Sequence, residues 1–118
     1  MGTSTSGNGS HAEGDSTIAL GSYSHAEGDS TNATGSYSHA EGCHSIATGK
    51  YSHSEGIYTN AIRAGQHVFG IGNISDTGST TLGNYTLGKF AEIVGGGSVT
   101  SAGAVTAKNI RTLDWVVS

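Results

Sequence analysis

Small and larger residues alternate in two short stretches of a motif that recurs along the first part of the chain. In residues 24–28 (SHAEG), Ser, Ala and Gly share one parity, and His and Glu share the other. In residues 17–21 (TIALG), Thr, Ala and Gly share one parity, whereas Ile and Leu share the other. A period of two places successive side chains on opposite faces of a strand, so the pattern predicts two five-residue β-strands in each copy.

The motif recurs every fourteen residues, and about four and a half copies occupy residues 3–70. The histidines of the copies are His11, His25, His39, His53 and His67, and the glutamates are Glu13, Glu27, Glu41 and Glu55. Glycine closes both halves of each copy, and fourteen residues are too few for a pair of helices. Two strands and two turns therefore make one coil of a parallel β-solenoid, with neighbouring coils about 4.8 Å apart.

The small residues predict which side chains face the interior of a coil. Two facing strands leave a thin interior that accommodates only Ser, Thr, Ala and Gly. These small residues occupy the same alternate positions in each copy. The larger residues then point outwards, as His and Glu on one sheet and as Ile, Leu, Thr and Asn on the other. A roll with so little inside buries too little surface to be stable alone. We therefore expect the sheet with Ile and Leu to pack against other copies, and the sheet with His and Glu to face solvent.

Residues 71–118 break the fourteen-residue pattern and are predicted to form a C-terminal β cap that mediates trimerisation. Residues 72–85 (GNISDTGSTTLGNY) are predicted to be turns and loops. Residues 89–97 (KFAEIVGGG) alternate like a strand, and residues 95–103 (GGGSVTSAG) are interpreted as a flexible connection. A second strand is expected within residues 109–117 (NIRTLDWVV).

Composition limits the size of the core and the class of partner. Only 20 of the 118 residues are Leu, Ile, Val or Phe, and the hydrophobic fraction of 34% is below the roughly 45–50% of globular domains. The net charge of −4 offers no basic face for nucleic acid, and no apolar stretch is long enough to insert into a membrane. The first residues have no pattern of a secretory leader. Cys43 is the single cysteine and is interpreted as incidental.

The motif also resembles a known family. The pattern SHAEG…T.A.G.YSHAEG in residues 3–70 resembles the head repeats of trimeric autotransporter adhesins. Residues 89–115, from KFAEIVGGG to RTLDW, resemble a segment of bacteriophage tail fibres and neck appendages. The resemblance implies an all-β, left-handed parallel β-roll that packs as a homotrimer. It implies a structural and adhesive virion protein of a phage tail or appendage that contacts the host surface, or alternatively the head of a bacterial trimeric adhesin on the cell surface.

The resemblance has a limit at the C-terminal end. Related phage proteins often continue into an intramolecular chaperone that cleaves itself, but here VVS follows residues 112–115 (TLDW), without the NGN of the family motif. The departure puts self-cleavage in doubt, and the chain is interpreted as a fragment, a matured product or a naturally short relative. The lack of a leader and of an anchor favours the phage hypothesis. Trimer contacts are expected at Ile18, Leu20, Ile46, Ile62, Phe90, Ile93 and Trp115.

The repeated His and Glu side chains suggest two sharp hypotheses. Zinc binds His and carboxylate ligands, but a metal site is expected to be one cage rather than an even ladder of exposed pairs. A Ser/His/acid triad needs one preorganised cleft, which repeated exposed copies do not provide. We therefore expect no enzyme activity, no cofactor and no metal.

Contact with a host glycan or protein is the remaining chemical role, and a plain spacer is an equally good interpretation of the repeat. Flat polar surfaces with tyrosines at the turns suit such contact. The candidate contact residues are His11, Glu13, His25, Glu27, His39, Glu41, His53, Glu55, Tyr23, Tyr37 and Tyr51.

Overall fold

A computed structural model describes residues 2–99, 105–107 and 111–114. Every regular element in these ranges is a β-strand, and none of them forms a helix that could cross a bilayer. The strands are β1 (Ser4–Thr5), β2 (His11–Asp15), β3 (Ile18–Ala19), β4 (His25–Asp29), β5 (Asn32–Ala33), β6 (His39–Cys43), β7 (Ile46–Ala47), β8 (His53–Ile57), β9 (Asn60–Ala61), β10 (His67–Ile71), β11 (Thr80–Leu82), β12 (Tyr85–Leu87), β13 (Phe90–Val99), β14 (Val105–Ala107) and β15 (Arg111–Asp114).

The repeats fold into a parallel β-solenoid of about five coils, which confirms the predicted all-β architecture. The short sheet has the order β1-β3-β5-β7-β9, and the long sheet contains β2, β4, β6, β8 and β10 in sequence. Each strand pairs in parallel with the strand fourteen residues later, so that His25 lies beside His39 and Ala33 lies beside Ala47. The short strands have two residues rather than the predicted five.

Alanine fills the interior between the two sheets, as the parity of the motif predicts. Ala19 and Ala33 of the short sheet and Ala26 and Ala40 of the long sheet are all fully buried and belong to one cluster. Buried Ser and Thr side chains occupy the neighbouring inward positions: Thr17, Ser24, Thr31, Ser38, Ser45, Ser52, Ser54 and Thr59. The interior is thin, since the alanine side chains that fill it are single methyl groups.

The prediction was wrong for the glycine of SHAEG, which does not face the interior. Gly28 is exposed, with a φ of 117° that side-chain-bearing residues rarely adopt. A Cβ at this position would collide with the backbone carbonyl oxygen of Gly42 in the next coil. Glycine is therefore needed here because two backbones approach each other closely at a bend.

The tyrosines lie at the corner of the coil and are part of its backbone geometry. Tyr37 has a φ of 60°, and Tyr23 and Tyr51 have 58° and 62°. The Tyr37 N–H donates to the Ser22 carbonyl of the preceding coil at 2.8 Å, whereas the His25 N–H of the strand donates forwards to Ser38 at 2.9 Å. The left-handed φ of the tyrosine thus turns its N–H towards the preceding coil instead of the following one. The hydrogen bond formed there offsets the cost of the unusual φ.

The long sheet continues beyond the array, which sequence reasoning did not predict. β13 is the expected strand, but it pairs in parallel with β10, so that Val68 lies beside Ile93 and His67 beside Glu92. β13 runs on to Val99 through the glycines that were interpreted as a flexible connection. Position 95 of this strand requires glycine, because a Cβ there would collide with the carbonyl oxygen of Gly72.

The segment between β10 and β13 is more ordered than the predicted turns and loops. β11 and β12 form an antiparallel hairpin with Gly83 at its turn, where φ is 60°. β14 and β15 both pair antiparallel with β13, which confirms a strand within residues 109–117 at Arg111–Asp114.

Asp76 attaches this segment to the last coil. Its carboxylate accepts hydrogen bonds from the Gly78 N–H at 2.9 Å, the Phe90 N–H at 2.8 Å and Gln66 Nε2 at 2.9 Å. Arg63 Nε donates to the Gly78 carbonyl at 2.6 Å. Burial of Asp76 alone would raise the pKa of its carboxyl group, but these hydrogen bonds outweigh burial and hold the pKa below its ordinary value.

Candidate functional site: the histidine–glutamate ladder

The predicted contact residues come together as one ladder on the outer face of the long sheet. Each His is the first residue of its strand and each Glu is the third, so the two side chains point to the same side. The in-register pairing then stacks His on His and Glu on Glu from coil to coil. We call this set the His/Glu ladder: His11, Glu13, His25, Glu27, His39, Glu41, His53, Glu55 and His67.

The ladder is less exposed than the expected solvent face. His39 and Glu27 retain about a third of their side-chain exposure, at 33% and 34%, and only the first coil is more open, with His11 at 63%. Parallel stacking causes this burial because each ring is covered by the rings of the neighbouring coils.

Each glutamate contacts the histidine of the next coil. The distance from the His Nε2 atom to the Glu carboxylate is 3.6 Å for His25 with Glu13 and 3.5 Å for His39 with Glu27. It shortens to 3.1 Å for His53 with Glu41, and that pair forms a hydrogen bond. The last such pair, His67 with Glu55, is hydrogen bonded at 3.0 Å.

The imidazole rings form a stack along the solenoid axis. The ring centroids of His25 and His39 are 4.7 Å apart with an interplanar angle of 6°, and those of His39 and His53 are 4.6 Å apart at 5°. His11 meets His25 edge-on, at 5.0 Å and 77°. The coil spacing sets these distances, because one ring projects from each coil.

The neighbours of Glu55 favour the ionised form of this one carboxyl group. The hydrogen bond with His67 lowers the pKa of Glu55 below its ordinary value, and this effect exceeds the opposing effect of burial. Contact with Glu41 and the charge of His53 act in the same direction as the hydrogen bond. The ladder therefore presents carboxylate oxygens and imidazole nitrogens in alternation, a donor set that can bind protons or cations.

A second repeated surface is the tyrosine column, which consists of Tyr23, Tyr37 and Tyr51 with Tyr85 at its end. The rings of Tyr37 and Tyr51 stack with centroids 4.9 Å apart, and Tyr85 meets Tyr51 edge-on at 5.7 Å. Lys50 Nζ lies 5.9 Å from the centroid of Tyr51 and 5.7 Å from that of Tyr85. The predicted tyrosines are therefore exposed and ordered, as a contact surface requires.

Sequence reasoning missed Tyr85 because it lies outside the fourteen-residue register. The hairpin of β11 and β12 brings Tyr85 beside Tyr51. There it lines a cavity of about 230 Å³ with Tyr51, Ala64, Gly65 and Leu87. Nothing in the sequence near Tyr85 indicates that placement.

The expected trimer contacts do not all lie on one surface. Ile46 and Leu20 are exposed at the short sheet, and Ile18 and Ile62 are half-buried there. The expectation was wrong for Ile93, which is buried within its own chain against Ala61 and Val68. β13 extends the long sheet next to β10, and this places Ile93 in the interior.

The two remaining candidates for trimer contact are aromatic. Phe90 packs against the edge of the cluster that contains Ile93 and is partly buried. Trp115 lies outside the described residues.

Comparison with known proteins finds no matching family model, no similar curated protein and no similar solved structure.

Proposed function

We propose that the chain is a structural and adhesive protein that works as a homotrimer of left-handed β-rolls, with residues 71–118 as its cap. The observation that supports this proposal most directly is an exposed aliphatic surface on a fold that has little apolar core. Ile46 and Leu20 point away from the roll, whereas the interior beneath them is filled by alanine. Burying those outward side chains between chains would supply apolar contact that the interior lacks.

This packing leaves the remaining faces free for display. The short sheet would face the three-fold axis, so the His/Glu ladder and the tyrosine column would remain on the outside. Both surfaces repeat at spacings of 4.6–5.3 Å, set by the hydrogen-bonded coils. A rigid, regularly spaced polar and aromatic surface suits contact with a polymer such as a bacterial surface polysaccharide, since aromatic rings and polar groups both contact sugars.

We place this trimer in a bacteriophage tail fibre, tail spike or neck appendage, where it would contact the host cell. The resemblance of the repeats and of residues 89–115 to such proteins supports this placement. The alternative is the head of a bacterial trimeric adhesin, which the repeats alone would equally suit. The coding region distinguishes the two, because an adhesin requires a secretion signal upstream and a membrane barrel downstream.

Light scattering coupled to size exclusion tests the assembly. We expect three times the chain mass of 11.8 kDa, and a folded monomer would contradict the proposal. A glycan array of bacterial surface polysaccharides then tests contact, with Tyr37→Ala as the matched variant. Binding that the variant loses supports adhesion through the tyrosine column, whereas a trimer that binds none of them and no host cell is a spacer.

A further inference from the structure

Two imidazole nitrogens of the His/Glu ladder form no hydrogen bond with the residues that the structure describes, although each lies near a carboxylate. The Nε2 atoms of His25 and His39 are shielded from solvent and accept or donate no hydrogen bond. Glu27 lies between them, with Oε2 4.0 Å from His25 Nε2 and Oε1 3.5 Å from His39 Nε2. A shielded polar atom without a hydrogen bond costs about 1–3 kcal/mol, so two such nitrogens beside one carboxylate need an explanation.

The separations fit a shared metal ion better than direct hydrogen bonds. Tetrahedral zinc with bonds of about 2.0–2.1 Å holds its ligand atoms about 3.3 Å apart. One ligand atom each from His25, Glu27 and His39 lies within 4.8 Å of the other two. Binding would require a tilt of the two stacked rings towards Glu27, because the present separations from Glu27 are 4.0 Å and 3.5 Å.

We propose that the ladder binds divalent transition-metal ions such as Zn²⁺, and that the first ion binds between His25, Glu27 and His39. Two imidazoles and a carboxylate are a ligand set that zinc accepts, with water in the fourth position. All three residues are half-buried, so the protein supplies a partly dehydrated environment in which charge–charge attraction is stronger than in water.

The same grouping recurs along the ladder, and its overlaps limit the number of ions. The four groups are His11/Glu13/His25, His25/Glu27/His39, His39/Glu41/His53 and His53/Glu55/His67. Neighbouring groups share one histidine. A neutral imidazole has one nitrogen lone pair and therefore ligates one ion at a time.

Two ions per chain is the maximum that this rule allows. With the first ion at Glu27, the second binds His53, Glu55 and His67, which shares no histidine with the first group. An ion at this group takes the place of the hydrogen in the bond between His67 Nε2 and Glu55. Glu92 Oε2 lies 3.8 Å from His67 Nδ1, on the other side of the ring. The two ions lie two coils apart, about 9.6 Å.

Sharing predicts an alternating response to histidine removal. His25→Ala removes two overlapping groups and leaves two that both need His53, so one ion binds. His39→Ala also removes two groups, but the remaining pair shares no histidine, so two ions still bind. His53→Ala leaves two groups that both need His25, and again one ion binds.

Isothermal titration of the full-length protein with Zn²⁺, after treatment with a chelator, tests this inference, and native mass spectrometry counts the ions. We expect two Zn²⁺ per chain for the wild type and His39→Ala, and one for His25→Ala and His53→Ala. Circular dichroism verifies that each variant is folded, and the wild-type count stands as a test if a variant is not.

Three outcomes would overturn the inference. They are no Zn²⁺ binding by the wild type, a loss of one ion in His39→Ala, and retention of two ions in His25→Ala or His53→Ala. No binding by the wild type would leave the ladder as a set of contacts between histidine and glutamate side chains without metal. The other two outcomes would exclude ligation through shared histidines. The oligomeric state of the protein does not enter these counts, so the test is independent of the proposed function.

Discussion

The side-chain amide of Asn73 pairs with the backbone of Asn60 as if it were another strand. The Asn60 N–H donates to Asn73 Oδ1 at 2.8 Å, and Asn73 Nδ2 donates to the Asn60 carbonyl at 3.2 Å. Asn60 belongs to β9, the last strand of the short sheet. Asn73 thus satisfies the backbone at an edge where the described residues provide no further short strand, while the long sheet continues into β13.

This relationship predicts a graded response at Asn73. Asn73→Ala leaves a half-buried N–H and carbonyl of Asn60 without a partner and should lower the free energy of unfolding by about 1–3 kcal/mol. Asn73→Asp keeps the acceptor for the Asn60 N–H but loses the donor, so its loss should be smaller. Urea denaturation followed by circular dichroism measures both, and equal losses would contradict the strand-like role of the amide.

Close approach of the coils predicts a strong effect at Gly28. Gly28→Ala must relieve a collision with the Gly42 carbonyl and a φ of 117°, so we expect a loss of more than about 3 kcal/mol. Gly83→Ala is the matched control, because Gly83 also has a positive φ but nothing within 4 Å of an added Cβ. The control should lose only about 1–2 kcal/mol, the cost of the left-handed conformation. Similar thermal stabilities for the two variants would exclude the backbone collision as the reason for glycine.

Acid should weaken the attachment of the segment between β10 and β13. The pKa of Asp76 is lowered in the folded protein, so its stabilisation is present above the unfolded value near 3.8 and is lost as pH falls through the folded value below it. Asp76→Asn removes one acceptor from donors that all face it, so it should be destabilising at pH 7 by about 1–3 kcal/mol.

The free energy of unfolding, measured between pH 7 and pH 2, tests whether the stabilisation by Asp76 is lost in acid. The difference between the wild type and Asp76→Asn should narrow as the pH falls below 3.8. Asp29→Asn removes an exposed carboxylate and controls for the change in net charge. A difference that stays constant over this range would show that the ionisation of Asp76 does not stabilise the fold.

The proposed trimer predicts a position-dependent effect of one substitution. Ile46→Asp places a charge on the short sheet, which would face the three-fold axis, and should dissociate the trimer. Ile57→Asp is the matched control, since Ile57 has similar exposure, 40% against 36%, and occupies a corner where earlier coils carry Asp15 and Asp29. Light scattering should give the chain mass for the first variant and three times that mass for the second. Trimers of both variants would place the contact elsewhere.

The sequence by itself determined the coil. A fourteen-residue repeat with alternating small residues specifies strands, parallel register and an alanine-filled interior, because each copy can only repeat the structure of the one before it. That logic located Ala26, Ala33 and Ala40 inside and the His/Glu ladder outside.

Only the tertiary structure decided what happens where the repeat ends. Ile93 enters the long sheet beside Val68 although twenty-five residues separate them, and Tyr85 completes a column that began at Tyr23. These contacts depend on how the segment with the hairpin of β11 and β12 folds back onto the roll. That segment does not repeat, so no periodicity in the sequence predicts its position. The lack of a hydrogen bond at the Nε2 atoms of His25 and His39 was likewise not predictable, because it depends on differences of a few tenths of an ångström between coils of nearly identical sequence.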